Sequence, residues 1–401
     1  MGRWLRESEL DPRLIGTLLA LFSIWLVLDR VTGGLFLTPR NLYNLAVQSS
    51  VVGVMACGMV LVIVARHIDL SVGSLLGLTG MLLAAMQADV LPAAAWAWPL
   101  SIAVGVAVGA GLGALQGVWV AYAGLPAFVV TLAGLLIYRG CAYLLTDGRT
   151  ISPLDPTFER LGGGIDGAIG PEASWVLGLA AVAVFVTRQL RVRMDRARHG
   201  IPARAVWSEA LQMGLGVMGV LGFVAVINLH TLPQSDEARG IPIPVVVLAV
   251  VAVGMHALAR TTPFGRHVFA MGGSQRAAVR AGVNVARTTV GLFAVMGALA
   301  GVAGALTVAR LGAGTSSMGT LSELAVIAAT VIGGTRLAGG VGSIAGAVLG
   351  AVLMQSLENG MVLLGVSSAV RQVGIGLVLL LAVWLDAVWQ RRAGGLAEEG
   401  A

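Results

Sequence analysis

The sequence predicts an all-α, polytopic membrane protein of about twelve transmembrane helices, some of them broken. Three observations carry that expectation. Of 401 residues, 57% are hydrophobic and 11% charged, against about 25% charged in a soluble domain. The mean hydropathy is +0.88. The apolar residues gather into runs separated by polar punctuation, and none alternates as a barrel strand does. Helices close their backbone hydrogen bonds internally, so only they let this many runs sit in hydrocarbon. An ordinary soluble enzyme and a disordered or fibrous chain are excluded.

Taken in order, the chain begins with Met1–Arg13, which carries both signs of charge and leads into Leu14–Leu28. No A-x-A-like cleavage site follows, so this reads as a retained first helix. The other runs are Leu42–Ala65, Leu70–Met86, Trp98–Ala123, Ala127–Leu145, Trp175–Thr187, Leu211–Leu229, Val245–Leu258, Thr289–Ala309, Leu324–Thr335, Ile344–Val366 and Val373–Trp389. A crossing takes about 20 residues. Several runs are too short for that, notably Trp175–Thr187 and Leu324–Thr335; they either borrow flanking residues or form half-helices.

All 26 basic residues are arginine. A Walker A loop needs a lysine on the β/γ-phosphates, so this chain holds no such loop, and lysine Schiff-base chemistry is excluded as well. The net charge of +6 does not indicate nucleic acid, because the arginines lie between apolar spans and not in a basic domain interleaved with aromatics. Sixteen of them lie in the N-terminus, Arg188–Arg204, Arg260–Arg287 and the C-terminus, against seven in the opposite loops. With twelve crossings this excess puts both termini in the cytoplasm. Cys57 and Cys141 lie in apolar runs without zinc or disulfide spacing, so no metal and no cofactor are expected.

The longest outer loop, Thr146–Ser174, is rich in proline and acidic residues. It reads either as a surface for an external partner or as a solvated connector. Gly105, Gly109, Gly113 and Gly117 share one helix face and allow close backbone approach, in a static or a moving interface. Val62-Ile63 with Val72-Gly73-Ser74 recurs as Val331-Ile332 with Val341-Gly342-Ser343, at an offset of 269.

Three polar stretches interrupt the apolar pattern. In Arg66–Ser74, Asp69, Ser71 and Ser74 read as the polar start of a new helix, either a broken helix beside a polar pathway or a turn with a capped helix. In Arg260–Arg287, Ser274 is placed to cap a short helix on which Ala277, Ala278, Ala281 and Gly282 form a small-residue face beside Arg276 and Arg280. That face suits a groove on another protein better than it suits lipid. In Ile344–Val366, Gln355, Glu358 and Asn359 lie at i, i+3 and i+4, so they share a face that should point into the bundle. Either a substrate path or interhelical hydrogen bonding accounts for them. Gln116, Asn228, His256 and Glu323 read as isolated packing or interface groups.

The motifs IDLSVGS (Ile68–Ser74), LPAFVVTLAGLLIYRG (Leu125–Gly140), MGGSQRAAVRAGVNV (Met271–Val285), VIGGTRLAGGVGS (Val331–Ser343) and SLENGMVLLGV (Ser356–Val366) make the chain resemble the permease subunits of ribose/xylose/galactose-type ABC importers. Their order and spacing extend the resemblance from about Asn41 to Asp386. A segment at 188–244 with the added span Leu211–Leu229 extends a ten-helix family core by an extra pair, as in xylose-type permeases. One departure is local: Arg66-His67 stand where such permeases carry a small or glycine-containing pair.

The resemblance implies a single permease domain over 1–401, paired with a second copy in a bacterial inner membrane. It implies an ATP-binding subunit docked from the cytoplasm on the 259–288 loop through Gly272, Gly273, Ala277, Ala278 and Gly282. It also implies a periplasmic or lipid-anchored sugar-binding protein outside. Asp69, Ser71, Ser74, Gln355, Glu358 and Asn359 are then expected to line or shape the pathway. The chain itself is expected to be no enzyme. Alternatives are a permease for ribose, galactose or a branched-chain amino acid, or an ion-driven secondary transporter, which would need paired intramembrane acids. A membrane enzyme lacks a nucleophile–base constellation.

Overall fold

The structure, a computed structural model, describes residues 12–91, 94, 96–200, 206–231 and 237–398. Most of the charged N-terminus, with Arg3 and Arg6, and also Arg204 lie outside the described residues. The described chain is helical, with only isolated β-bridges. Helices α1 to α8 are Pro12–Val31, Pro39–Val64, Val72–Ala85, Ala97–Ala121, Ala127–Leu144, Pro171–Arg198, Val206–Asn228 and Ile243–Thr261. Two short helices follow, α9 (Pro263–Gly273) and α10 (Gln275–Arg280). The chain then forms α11 (Val285–Leu311), α12 (Ser322–Ile332), α13 (Ile344–Leu363) and α14 (Ser368–Glu398).

Each of the twelve apolar runs becomes a helix. Nine described helices are long and apolar enough to cross a bilayer, and 322–332 and 368–384 are shorter apolar ones; α1 completes the set. The two short runs resolve in opposite ways. Trp175–Thr187 extends at both ends into the 28 residues of α6. Leu324–Thr335 stays short, because α12 has 11 residues, about 16 Å at 1.5 Å per residue. The chain reaches it through the irregular stretch 312–321.

The chain divides into two compact units, Leu45–Gly167 with Pro244–Ala401, and Met1–Asn44 with Ala168–Ile243. In the larger unit α4 packs along α11. Gly109, Gly113 and Gly117 lie against the backbone of Gly297, Phe293 and Val290, and a Cβ at Gly117 would sit 2.7 Å from the Val290 Cα. The four-residue glycine spacing is thus the seam on which two backbones meet. Helix α3 is apolar on every side, and Val72, Leu75, Leu76, Met81 and Leu83 are all buried, as expected of a helix with neighbours all round. It packs on α4, α5 and α11.

The repeated Val-Ile…Val-Gly-Ser segments occupy equivalent places. Each pair of Val-Ile ends a helix (α2, α12), and each Val-Gly-Ser lies where the next helix starts (α3, α13). The two intervening turns touch, with Gly340 N donating to Val64 O at 2.9 Å. The loop 146–167 is irregular but pinned: Ile151 and Gly314 exchange backbone hydrogen bonds of 2.9 Å, and Asp155 caps the turn that buries Phe158.

In the smaller unit α6 packs on α7. Gly178 faces Val224 and Gly216 faces Phe185. Arg193 and Glu209 pair across the helices at 3.2 Å. Ser174 Oγ accepts from Ile241 N at 2.8 Å, and the Arg239 guanidinium lies 4.3 Å from the Tyr43 ring centroid.

Candidate functional site

The residues singled out above gather at three places in the larger unit. The first is the turn between α2 and α3. Helix α2 ends at Val64, and two residues on Arg66 has a left-handed φ of +66°, a conformation that favours glycine over a branched or long side chain. Beyond it Asp69 is 2% exposed. Its Oδ1 accepts from Ser71 N at 2.8 Å and from Ser71 Oγ at 2.7 Å. Ser71 Oγ accepts in turn from Gln116 Nε2 of α4 at 3.0 Å. Thr131 of α5 donates to the Ile68 carbonyl at 3.2 Å. Burial pushes the Asp69 carboxyl above the usual carboxylate range, against the pull of the two bonds from Ser71.

Ser71 stands at the start of α3, yet its hydroxyl turns back to Asp69 and bonds none of the helix amides. Ser74 is 1% exposed and its hydroxyl has no hydrogen-bond partner among the described residues. The capping expected of these serines is therefore absent, and the turn is held by a carboxylate–hydroxyl–amide chain.

The second place is the α9–α10 segment. Thr262 caps α9 through Gly265 N at 3.2 Å; Ser274 caps α10 through Ala277 N at 3.3 Å, as the sequence suggests. The small residues split by burial. Gly273, Ala277 and Gly282 are exposed, together with Arg276, Val279 and Arg280. Gly272 and Ala278 are buried. Gly272 lies against the Val64 carbonyl, and a Cβ there would come within 2.6 Å of Gly340 N. Gly282 has φ +83° and open space around it. Arg66 Nε donates to the Gly272 carbonyl at 2.8 Å and Nη2 to the Gly273 carbonyl at 2.9 Å. The first and second places are thus joined.

The third place is a cavity of about 180 Å³ bounded by α2, α3, α11, α12 and α13. Gln48, Thr307, Arg310, Ser322, Gln355 and Glu358 supply its polar wall. Gln355 Nε2 donates to Glu358 Oε2 at 2.9 Å. Asn359 shares their helix but not this cavity; it is 6% exposed, and its Oδ1 has no partner among the described residues. Asp69, Ser71 and Ser74 do not line the cavity either.

Sequence reasoning passed over three residues that matter here. Gln116 was read as a packing group, and it bonds Ser71. Arg139 of α5 reaches the irregular stretch before α12, donating to the carbonyls of Ser316 at 3.0 Å and Met318 at 2.7 Å. Arg310 lies in the last turn of α11, at the edge of its apolar run. The signal for both arginines was available, because a charge inside or at the edge of an apolar run is costly and needs a polar neighbour. Among the described residues no group of three or more His, Cys, Asp or Glu side chains is placed to hold a metal ion.

Comparison with known proteins adds the following. The family described as "Branched-chain amino acid transport system / permease component" matches residues 41–383. The xylose transport system permease protein XylH of Escherichia coli (strain K12) is 39% identical over 386 residues, covering 96% of this chain and 94% of the relative. XylH of Haemophilus influenzae is 42% identical over 374 residues, 93% of this chain and 94% of the relative. The ribose import permease protein RbsC of E. coli (strain K12) is 32% identical over 386 residues, with coverage of 96% and 94%. No solved structure matches the chain.

Proposed function

We propose, from the premise that this chain belongs to the branched-chain amino acid transport system / permease component family, that it is the membrane-spanning subunit of an ATP-driven importer whose sugar is xylose. The observation that carries this is the ranking of relatives at nearly full length: 42% and 39% identity to xylose permeases against 32% to a ribose permease.

Energy comes from a separate ATP-binding subunit. The lack of any lysine supports that assignment, since this chain has no Walker loop of its own. The subunit docks on the α9–α10 segment, over Gly272, Gly273, Ala277, Ala278 and Gly282. Its contact surface is the exposed subset Gly273, Ala277 and Gly282, flanked by Arg276 and Arg280. The buried Gly272 and Ala278 shape the segment from beneath. A sugar-binding protein delivers substrate from outside, and two copies of this chain make the pore. The chain resides in a bacterial inner membrane with both termini in the cytoplasm; the arginine excess supports this orientation, and twelve helical runs return the chain to its starting side.

Within the chain, Gln355, Glu358 and Asn359 belong to the outer part of the sugar route, near the end of α11. Asp69, Ser71 and Ser74 shape its inner end, at the turn bonded to the docking segment. None does covalent chemistry. Uptake of labelled xylose, ribose, galactose and leucine by cells lacking their own xylose permease, supplied with this chain and the two partner subunits, tests the reading. Xylose uptake exceeding the other three is expected; uptake of leucine without xylose would overturn it.

A further inference from the structure

We infer that the 180 Å³ cavity between α2, α3, α11, α12 and α13 is a monosaccharide subsite, anchored by Arg310 and Glu358 and completed by Gln48, Ser322 and Gln355. This deepens the proposed function and rests on it, naming where along the route the sugar pauses.

Size is the first argument. At about 30 Å³ per liquid water, the cavity holds about six waters, a volume suited to a single sugar ring. The second argument is unused hydrogen-bonding capacity. The side chains of Arg310, Gln48 and Ser322 have no hydrogen bond or ion pair among the described residues. Glu358 accepts only the bond from Gln355. A guanidinium carries five donors, a carboxylate about four acceptor sites, and an amide both kinds. Such groups facing one cavity are costly to leave without partners once water is displaced. A polyol resolves this, since each hydroxyl donates once and accepts twice. Glu358 accepts from neighbouring hydroxyls, Arg310 donates to ring or hydroxyl oxygens, and the two amides and Ser322 take the remainder.

The third argument is charge. Arg310 and Glu358 both line the cavity and carry opposite charges, so the site is balanced and fits an uncharged ligand. A zwitterionic amino acid would engage these two charges and leave Gln48, Ser322 and Gln355 facing its apolar side chain. The fourth is architecture. The cavity wall includes Gly319 and Ser322, where irregular backbone gives way to the half-helix α12, the setting in which transporters place ligand sites. Affinity at such a site must be modest for the sugar to leave.

The test uses the assembled complex of this chain with its ATPase and binding protein. Ser322→Cys in a Cys141→Ser background places one reactive thiol in the cavity, because Cys57 is fully buried. Xylose at saturating concentration should slow labelling by a small maleimide about tenfold, and leucine should not. Glu358→Gln and Arg310→Gln, singly and together, should lower xylose moved per ATP hydrolysed about tenfold, the loss of one charge-assisted bond. Unchanged labelling with xylose, protection by leucine instead, or a wild-type ratio in the double variant would overturn the subsite. Wild-type complex that moves no xylose would instead overturn the parent reading, and labelling still reports on the cavity in that case.

Discussion

Arg66 joins the α2–α3 turn to the end of α9, its guanidinium donating to the carbonyls of Gly272 at 2.8 Å and Gly273 at 2.9 Å. The backbone of the same residue is left-handed, with φ +66°. The chain thus places a long side chain where glycine would be easier and gains a fork that captures two carbonyls at the end of a helix. The end of α9 is thereby bonded directly to the turn that carries Asp69.

Replacing this fork tests that link. Arg66→Gly relieves the backbone and removes both bonds, while Arg66→Lys retains charge without the planar geometry. Arg66→Gly should leave stability within about 1 kcal/mol, since the guanidinium is partly exposed and glycine suits the left-handed turn. Both variants should lower sugar moved per ATP hydrolysed. A wild-type ratio in both would remove Arg66 from the coupling route.

Gly282 and Gly272 separate docking from folding. Gly282 has φ +83° and open surroundings, so Gly282→Asn, which tolerates that conformation, should bind the ATPase normally. Gly282→Trp should insert into the membrane and fail to retain the ATPase on purification. Gly272→Val collides with the Val64 carbonyl and Gly340 N, and should lose folded protein altogether. Normal ATPase stimulation in the Gly282→Trp complex would end the docking role.

Asp69 acts as an acceptor for Ser71 N and Ser71 Oγ. An asparagine carbonyl can accept both bonds. Asp69→Asn should therefore keep uptake within about threefold of wild type, whereas Asp69→Ala leaves the buried Ser71 groups without their acceptor and should cost about 1–3 kcal/mol of stability. Equal loss in both variants, by thermal unfolding and by uptake, would show that the charge itself is required.

The α4–α11 seam offers a paired test of packing. Gly113 lies against the Phe293 carbonyl, while Gly111 on the same helix has nothing within 4 Å of a built Cβ. Gly113→Leu should abolish detergent-stable protein, because two backbones would have to separate. Gly111→Leu should be nearly silent. Similar yields and elution profiles for the two would contradict the seam.

Much of this was legible before any coordinates. Apolar runs located twelve helices, though not α9 or α10, because each such run must satisfy its own backbone in hydrocarbon, and the glycine spacing of α4 marked the helix seam. Ser274 as a cap could be read from the glycines before it. What escaped depends on distance in sequence. Arg66 meets residues some two hundred positions away, and Arg139 meets Ser316 and Met318 in a segment with no periodic signal. The α13 face was legible as Gln355, Glu358 and Asn359, but a single helix cannot show that Arg310, Gln48 and Ser322 face two of those three across a cavity. Ser71 misled because its neighbour Asp69 competes for the hydroxyl that a helix start would otherwise use.

The central claim is that this chain is a conduit driven by a separate ATPase. The direct measurement is xylose accumulation in proteoliposomes containing the chain with and without its ATP-binding and sugar-binding partners, each with ATP and with a proton uncoupler. Accumulation should require both partners and ATP and survive the uncoupler. Uphill uptake by the chain alone, collapsing when the ion gradient is dissipated, would contradict the account and identify an ion-driven transporter.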